Sequence, residues 1–173
     1  MSCNIFTNNK IELFVDSSVN PQSKIGFSAY LYKISSTHSL EELKNSIKTK
    51  KVENTSSTKL ELQTFLWALE DIKNNIENIY SFSIVVYTDC QNIISLKNRK
   101  NKLEKNNFHS SSGKLINNHD LYKEFFDKTD EFNLSFVKVK GHKKTSLKDE
   151  IDDIFNLVDK ASRGALRDYL SNF

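Results

Sequence analysis

Two short apolar runs that each end in an aspartate constrain this chain most. Ile11 to Val15 leads into Asp16, and Ile84 to Tyr87 leads through Thr88 into Asp89. Brief β-branched and aromatic runs suit buried strands. In an open α/β sheet, the loops at strand ends build the functional crevice. The remaining elements order themselves around these two strands. Asn20-Pro21-Gln22-Ser23 marks a turn, and Ile25 to Ile34 reads as a second strand paired to the first. Lys48 to Asn54 is polar, so a strand there sits at an edge or shows one wet face. Ser56-Ser57-Thr58 precedes Leu60, Leu62, Phe65, Leu66 and Leu69, which is helical spacing after a cap. Gln91 to Leu96 predicts a short helix and Leu121 to Phe126 another. Leu134 to Val139 is apolar on both faces, as a central parallel strand would be. Asp149 to Leu170 closes the chain as a helix. The expected fold is α/β: a five-stranded mixed sheet, three antiparallel strands and then parallel ones, flanked by helices. No repeat or Pro/Gly-rich linker interrupts the pattern, so residues 1–173 are expected to form one domain.

A chain of 173 residues can bury a sizeable core without metal or disulfide staples. Its 25 Lys and Arg against 22 Asp and Glu leave a net charge of +3, too mild to argue nucleic-acid binding by itself. Cys3 and Cys90 make neither a disulfide framework nor zinc-ligand spacing. No apolar run approaches a membrane span, and MSCNIFTNNK lacks the apolar stretch of a secretory signal. A soluble, cytoplasmic monomer is the expectation.

The chemistry lies in isolated acids placed against apolar elements. Besides Asp16 and Asp89, Glu61 sits one turn into a predicted helix between Leu60 and Leu62. A carboxylate held against an apolar face is costly unless it is paired or binds a cation. Several such acids converging would suit a hard divalent ion with oxygen ligands. Taken singly, each has a plainer reading, as a turn residue, a cap or a partner of the helix dipole.

The blocks around these acids, in their order, resemble the type-one ribonuclease H family. FVDSSVNPQSKIGFSAYLYKI resembles its first hairpin, and SSTKLELQTFLWALEDI the start of its first long helix. VVYTDCQNII resembles its Thr-Asp-Ser-Gln block, FVKVKGH the end of its last strand, and LVDKASRGAL its closing helix. The resemblance implies metal-binding carboxylates at Asp16, Glu61, Asp89 and Asp159, and two Mg²⁺ ions, with Mn²⁺ an alternative. It implies that His142 assists proton transfer or product release, a role suited to an imidazole near neutral pH. It implies an endoribonuclease that cuts the RNA strand of an RNA–DNA hybrid by a two-metal-ion mechanism.

The match departs from the family in three places. Ser17 stands where Gly is usual after the strand, and Ser57-Thr58 stand where Asn is common before the helix. The interval from His142 to Asp159 is long and also holds Asp152 and Asp153, so either of these is an alternative fourth carboxylate.

Lys97, Arg99, Lys100, Lys102 and Lys105 cluster after the Asp89 block, where some family members carry a basic protrusion that grips the DNA strand. Lys138, Lys140, Lys143 and Lys144 surround His142. Such cations neutralise phosphates and release counterions. Sensing the 2′-hydroxyl falls, by the resemblance, to backbone groups around Ser17, Ser18 and Asn20 and to the side chains of Ser57, Thr58 and Gln91. Two other readings stand beside the nuclease: a non-catalytic nucleic-acid-binding module of the same fold, and a related nuclease acting on another duplex.

Overall fold

The computed structural model describes residues 9–34, 38–140 and 149–173. A mixed sheet runs through them in the order β3-β2-β1-β4-β5. β1 (Lys10–Asn20) and β2 (Ile25–Lys33) form an antiparallel hairpin, and β3 (Lys48–Val52) pairs antiparallel with β2. β4 (Ser83–Thr88) lies parallel to β1, and β5 (Asn133–Lys138) parallel to β4. The helices are α1 (Leu40–Asn45), α2 (Ser57–Asn75), α3 (Gln91–Lys105), α4 (His119–Glu131) and α5 (Glu150–Ser171). No described helix is long and apolar enough to cross a membrane. This is the expected α/β architecture with its flanking helices.

β1 is central because both of its faces are covered. Its alternate residues Ile11, Leu13 and Val15 join a core with Leu62, Phe65, Leu69 and Ile72 of α2 and Phe125 and Phe126 of α4. Phe14 points the other way, into a second core with Ile154, Phe155 and Val158 of α5. The period-2 alternation of a strand thus divides one run of apolar residues between two helical layers. The hairpin turn forms because Asn20 Oδ1 accepts the backbone N–H groups of Gln22 and Ser23, at 2.9 and 3.0 Å, an Asx turn. Gly26 admits α2: a Cβ there would meet a Leu60 methyl and the Ser18 carbonyl at 2.8 Å. Glu61 therefore reaches the hairpin because residue 26 has no side chain.

Four expectations change. Asp16 does not end its strand; β1 continues to Asn20, and it is the pairing with β4 that ends at Phe14. β5 is an edge strand, and Asn133, Ser135, Val137 and Lys138 are exposed. Its apolar residues alternate with wet ones, and a run of six residues carries no mark of sheet position. The helix α1 was not predicted, although Ser39 and Glu42 form a full capping box that is legible as Ser-x-x-Glu. The helix predicted for Gln91–Leu96 runs on to Lys105, so the basic cluster is the latter part of α3 rather than a separate protrusion. Ile93, Leu96 and Leu103 bury one face of α3 and leave its lysines in water.

Candidate active site

Asp16 lies two residues beyond Phe14, where the β1–β4 pairing stops, and Asp89 follows the last residue of β4. Both carboxylates therefore leave the sheet at one edge of the central pairing. Glu61 approaches from the first turns of α2. One carboxylate oxygen from each of Asp16, Glu61 and Asp89 lies within 4.8 Å of the others. Asp16 and Glu61 are buried, whereas Asp89 is exposed.

Asp159 of α5 lines the same cavity, of about 280 Å³, together with Ser17, Ser18, Ser57, Cys90 and Arg163. It stands outside the 4.8 Å group, and its Oδ1 accepts from Arg163 Nε at 2.8 Å. The structure thus brings all four expected carboxylates to one cavity. The alternatives for the fourth do not reach it. Asp152 caps α5 in a reciprocal box with Asp149, and Asp153 is exposed on the first turn. Asp152 borders a different cavity, with Tyr87 and Val139. Seven residues of helix separate Asp152 from Asp159 by roughly 10 Å along the axis, so sharing a face does not make them share a site.

Hydroxyls hold two of the acids. Ser17 Oγ donates to Glu61 Oε1 at 2.7 Å, and Ser162 Oγ of α5 donates to Asp16 Oδ2 at 2.6 Å. Glu61 Oε2 is buried without a hydrogen-bond partner. Burial, with the nearby charges of Asp89 and Asp159, pushes the Asp16 carboxyl up to about 7, although the bond from Ser162 opposes the rise. Burial and the Asp16 charge push Glu61 up to about 8 against the bond from Ser17. Burial and the Asp159 charge also raise Asp89, which Arg163 and Lys138 partly offset. Anions crowded at this density repel one another, and a cation among them relieves the cost. The donor set is all oxygen, which fits a hard divalent ion rather than a thiophilic one.

The other expected residues are placed as follows. Ser17, Ser18 and Ser57 line the cavity; Ser18 Oγ and Ser162 Oγ are 3.1 Å apart. Thr58 accepts from Asn92 at 3.5 Å, and Gln91 accepts from Lys138 at 2.7 Å. The Asn20 side-chain oxygen is committed to the hairpin turn. Lys97, Arg99 and Lys102 are exposed on α3, whereas Lys100 turns aside to pair with Asp130 of α4. His142 and Lys143 lie outside the described residues. Sequence reasoning passed over Cys90, Ser162 and Arg163. The available signals were the place of Cys90 directly after Asp89 and the spacing of Ser162 and Arg163, three and four residues after Asp159.

Two buried acids and an exposed one gather where the parallel β1–β4 pairing ends, with an unpartnered carboxylate oxygen among them, an oxygen donor set that could hold a cation in an α/β fold. The chain belongs to the RNase H family, whose sequence pattern matches residues 8–159. It is 30% identical over 113 residues to a ribonuclease H of Caldicellulosiruptor saccharolyticus, a match that covers 64% of this chain and 74% of that protein. Its fold is similar to a foamy viral protease-reverse transcriptase solved in complex with dsDNA, with a TM-score of 0.56 and 12% identity over 94% of this chain and 98% of that one.

Proposed function

We propose that this chain is an endoribonuclease that hydrolyses the RNA strand of RNA–DNA hybrids, with Asp16, Glu61, Asp89 and Asp159 as its working carboxylates. The observation that carries this reading is the convergence of one carboxylate oxygen each from Asp16, Glu61 and Asp89 within 4.8 Å, with Glu61 Oε2 buried and unpartnered, in a member of the RNase H family.

The four acids would hold two Mg²⁺ ions, or Mn²⁺ in their place. Bound there, such ions activate water and stabilise the leaving oxygen of a phosphodiester. The chain's own residues do the rest. Asp16 and Glu61 are fixed by hydroxyl donors, so their orientation is set before substrate arrives. Asp89 stands at the exposed side of the group, where a substrate phosphate can approach. Lys97, Arg99 and Lys102 project from α3, which begins at Gln91 beside the cavity, and neutralise phosphates of the DNA strand. Ser57 in the cavity wall, the adjoining Thr58 and Gln91, and backbone groups from Ser17 and Ser18 in the wall on to Asn20 contact the RNA sugar edge. Proton transfer is assigned to His142, with Lys143 as a phosphate contact. Residues 1–173 act as one domain and as a monomer.

The test is an end-labelled hybrid incubated with Mg²⁺, with Mn²⁺ or with EDTA, beside matched RNA and DNA duplexes. Metal-dependent cleavage of the RNA strand of the hybrid, abolished in Asp89→Asn, is expected. Salt-sensitive hybrid binding without turnover would replace the nuclease with a binding module. Preference for another duplex would change the substrate and keep the site.

A further inference from the structure

Two carboxylates of the cluster share an arrangement that their positions do not require. Glu61 of α2 and Asp16 of β1 are each held at one oxygen by a serine from a different element. Ser17 Oγ of β1 occupies Glu61 Oε1 at 2.7 Å and leaves Oε2 buried with no partner. Ser162 Oγ of α5 occupies Asp16 Oδ2 at 2.6 Å. Ser162 is itself fully buried, and Ser18 Oγ lies 3.1 Å away, placed to donate to it. The single Ser162 proton goes to Asp16 at 2.6 Å, the shorter of its two acceptors, the other being the Asp159 carbonyl at 3.1 Å.

A carboxylate can present both oxygens to one cation or only one. A hydroxyl bonded to one oxygen takes one of that oxygen's lone-pair sites, restrains rotation of the carboxylate plane and disfavours chelation by a single ion. Chelation by both oxygens suits Ca²⁺, which takes six to eight oxygens in a loose sphere. Mg²⁺ demands a small octahedron with single-oxygen contacts and retained waters. We propose that Ser17 and Ser162 are positioning residues that make Glu61 and Asp16 single-oxygen ligands toward any one ion, and so set the preference of this site for Mg²⁺ over Ca²⁺. The proposal rests on the carboxylates' reading as the cation site, but not on the substrate. Ser17 then acts through Glu61 and has a role that glycine, usual at this position in the family, cannot fill.

The test measures cation affinity without nucleic acid. Melting temperature is recorded against Mg²⁺ and against Ca²⁺ at fixed pH and ionic strength, and the linkage between binding and stability yields each Kd. The proteins are wild type, Ser17→Ala, Ser17→Thr and Ser162→Ala. In each alanine variant the Mg²⁺ preference should fall by on the order of tenfold, as outer hydrogen-bond partners of metal ligands typically contribute. The fall should come from weaker Mg²⁺ binding with Ca²⁺ binding unchanged or tightened, and Ser17→Thr should retain the preference. An unchanged ratio in the alanine variants, or equal weakening of both ions, would overturn the proposal. If wild type binds neither ion, the cation site fails and this proposal with it. If selectivity shifts as expected but no hybrid is cleaved, the positioning role stands and the nuclease reading falls.

Discussion

Phe14 and Tyr87, directly opposed in the parallel β1–β4 pairing, stack with ring centroids 4.7 Å apart and an interplanar angle of 13°. Two residues after each ring comes an acid, Asp16 after Phe14 and Asp89 after Tyr87. The register that opposes these rings also brings the two carboxylates to the same end of the pairing. Shifting a strand by one residue would send its side chain to the opposite face.

Phe14→Ala removes one ring from this pair and leaves a cavity in the core beneath α5. A truncation of this kind costs about 3–5 kcal/mol, which lowers Tm by on the order of 10 °C in a chain of this size. Thermal melting by circular dichroism checks it. Tyr87→Phe keeps the stack and should stay within about 1 kcal/mol of wild type, because the Tyr87 hydroxyl reaches Glu12 only at 3.4 Å.

The elevated carboxyls make metal-free stability depend on pH with a definite sign. Asp16 at about 7 and Glu61 at about 8 bind protons more tightly in the folded state than in the unfolded one, where carboxyls titrate near 4. Their contribution is fully present below about pH 4 and is lost as pH rises through about 7 and 8. In EDTA, Tm should fall from pH 5 towards pH 8.5. Saturating Mg²⁺ or Mn²⁺ should remove most of that fall, and Asp16→Asn should reduce it. A Tm in EDTA that is flat over this range would mean the carboxyls titrate normally.

Asp159 rather than Asp152 or Asp153 is expected to matter for turnover. Asp159→Asn should lower hybrid cleavage by about 10²–10³-fold, the usual effect of deleting one electrostatic group from a reacting site. Asp153→Asn should leave the rate within about twofold, since exposed substitutions away from a site are close to neutral. Asp152→Ala removes the side chain that accepts from the backbone N–H of the Asp149 cap and should cost about 0.3–1.5 kcal/mol, seen in melting rather than in rate. Single-turnover cleavage of the three variants separates them.

Among the basic residues of α3, Lys97, Arg99 and Lys102 should each reduce the salt slope of hybrid binding by about one when changed to Gln. Lys100→Gln should change it far less, because Asp130 already pairs with that ammonium. Fluorescence anisotropy at several salt concentrations measures the slopes. Equal effects at all four positions would mean that the substrate draws Lys100 out of its pair.

Much of this protein was legible in local pattern. The apolar runs Ile11 to Val15 and Ile84 to Tyr87, the Asn20-Pro21 turn and the periodic leucines of α2 set element types, because strand and helix periods depend on near neighbours. The acids Asp16, Glu61 and Asp89 stood out for the same reason, as charges against apolar neighbours. Order in space was not legible. β5 lies at an edge, α3 continues through the lysines, and the choice among Asp152, Asp153 and Asp159 turns on where α5 starts and which turn faces β1. Nor does any local signal join Ser17 to Glu61 or Ser162 to Asp16, across 44 and 146 residues. Those contacts exist because long-range packing places α2 and α5 on opposite faces of β1, so each helix meets the strand's alternate side chains from its own side.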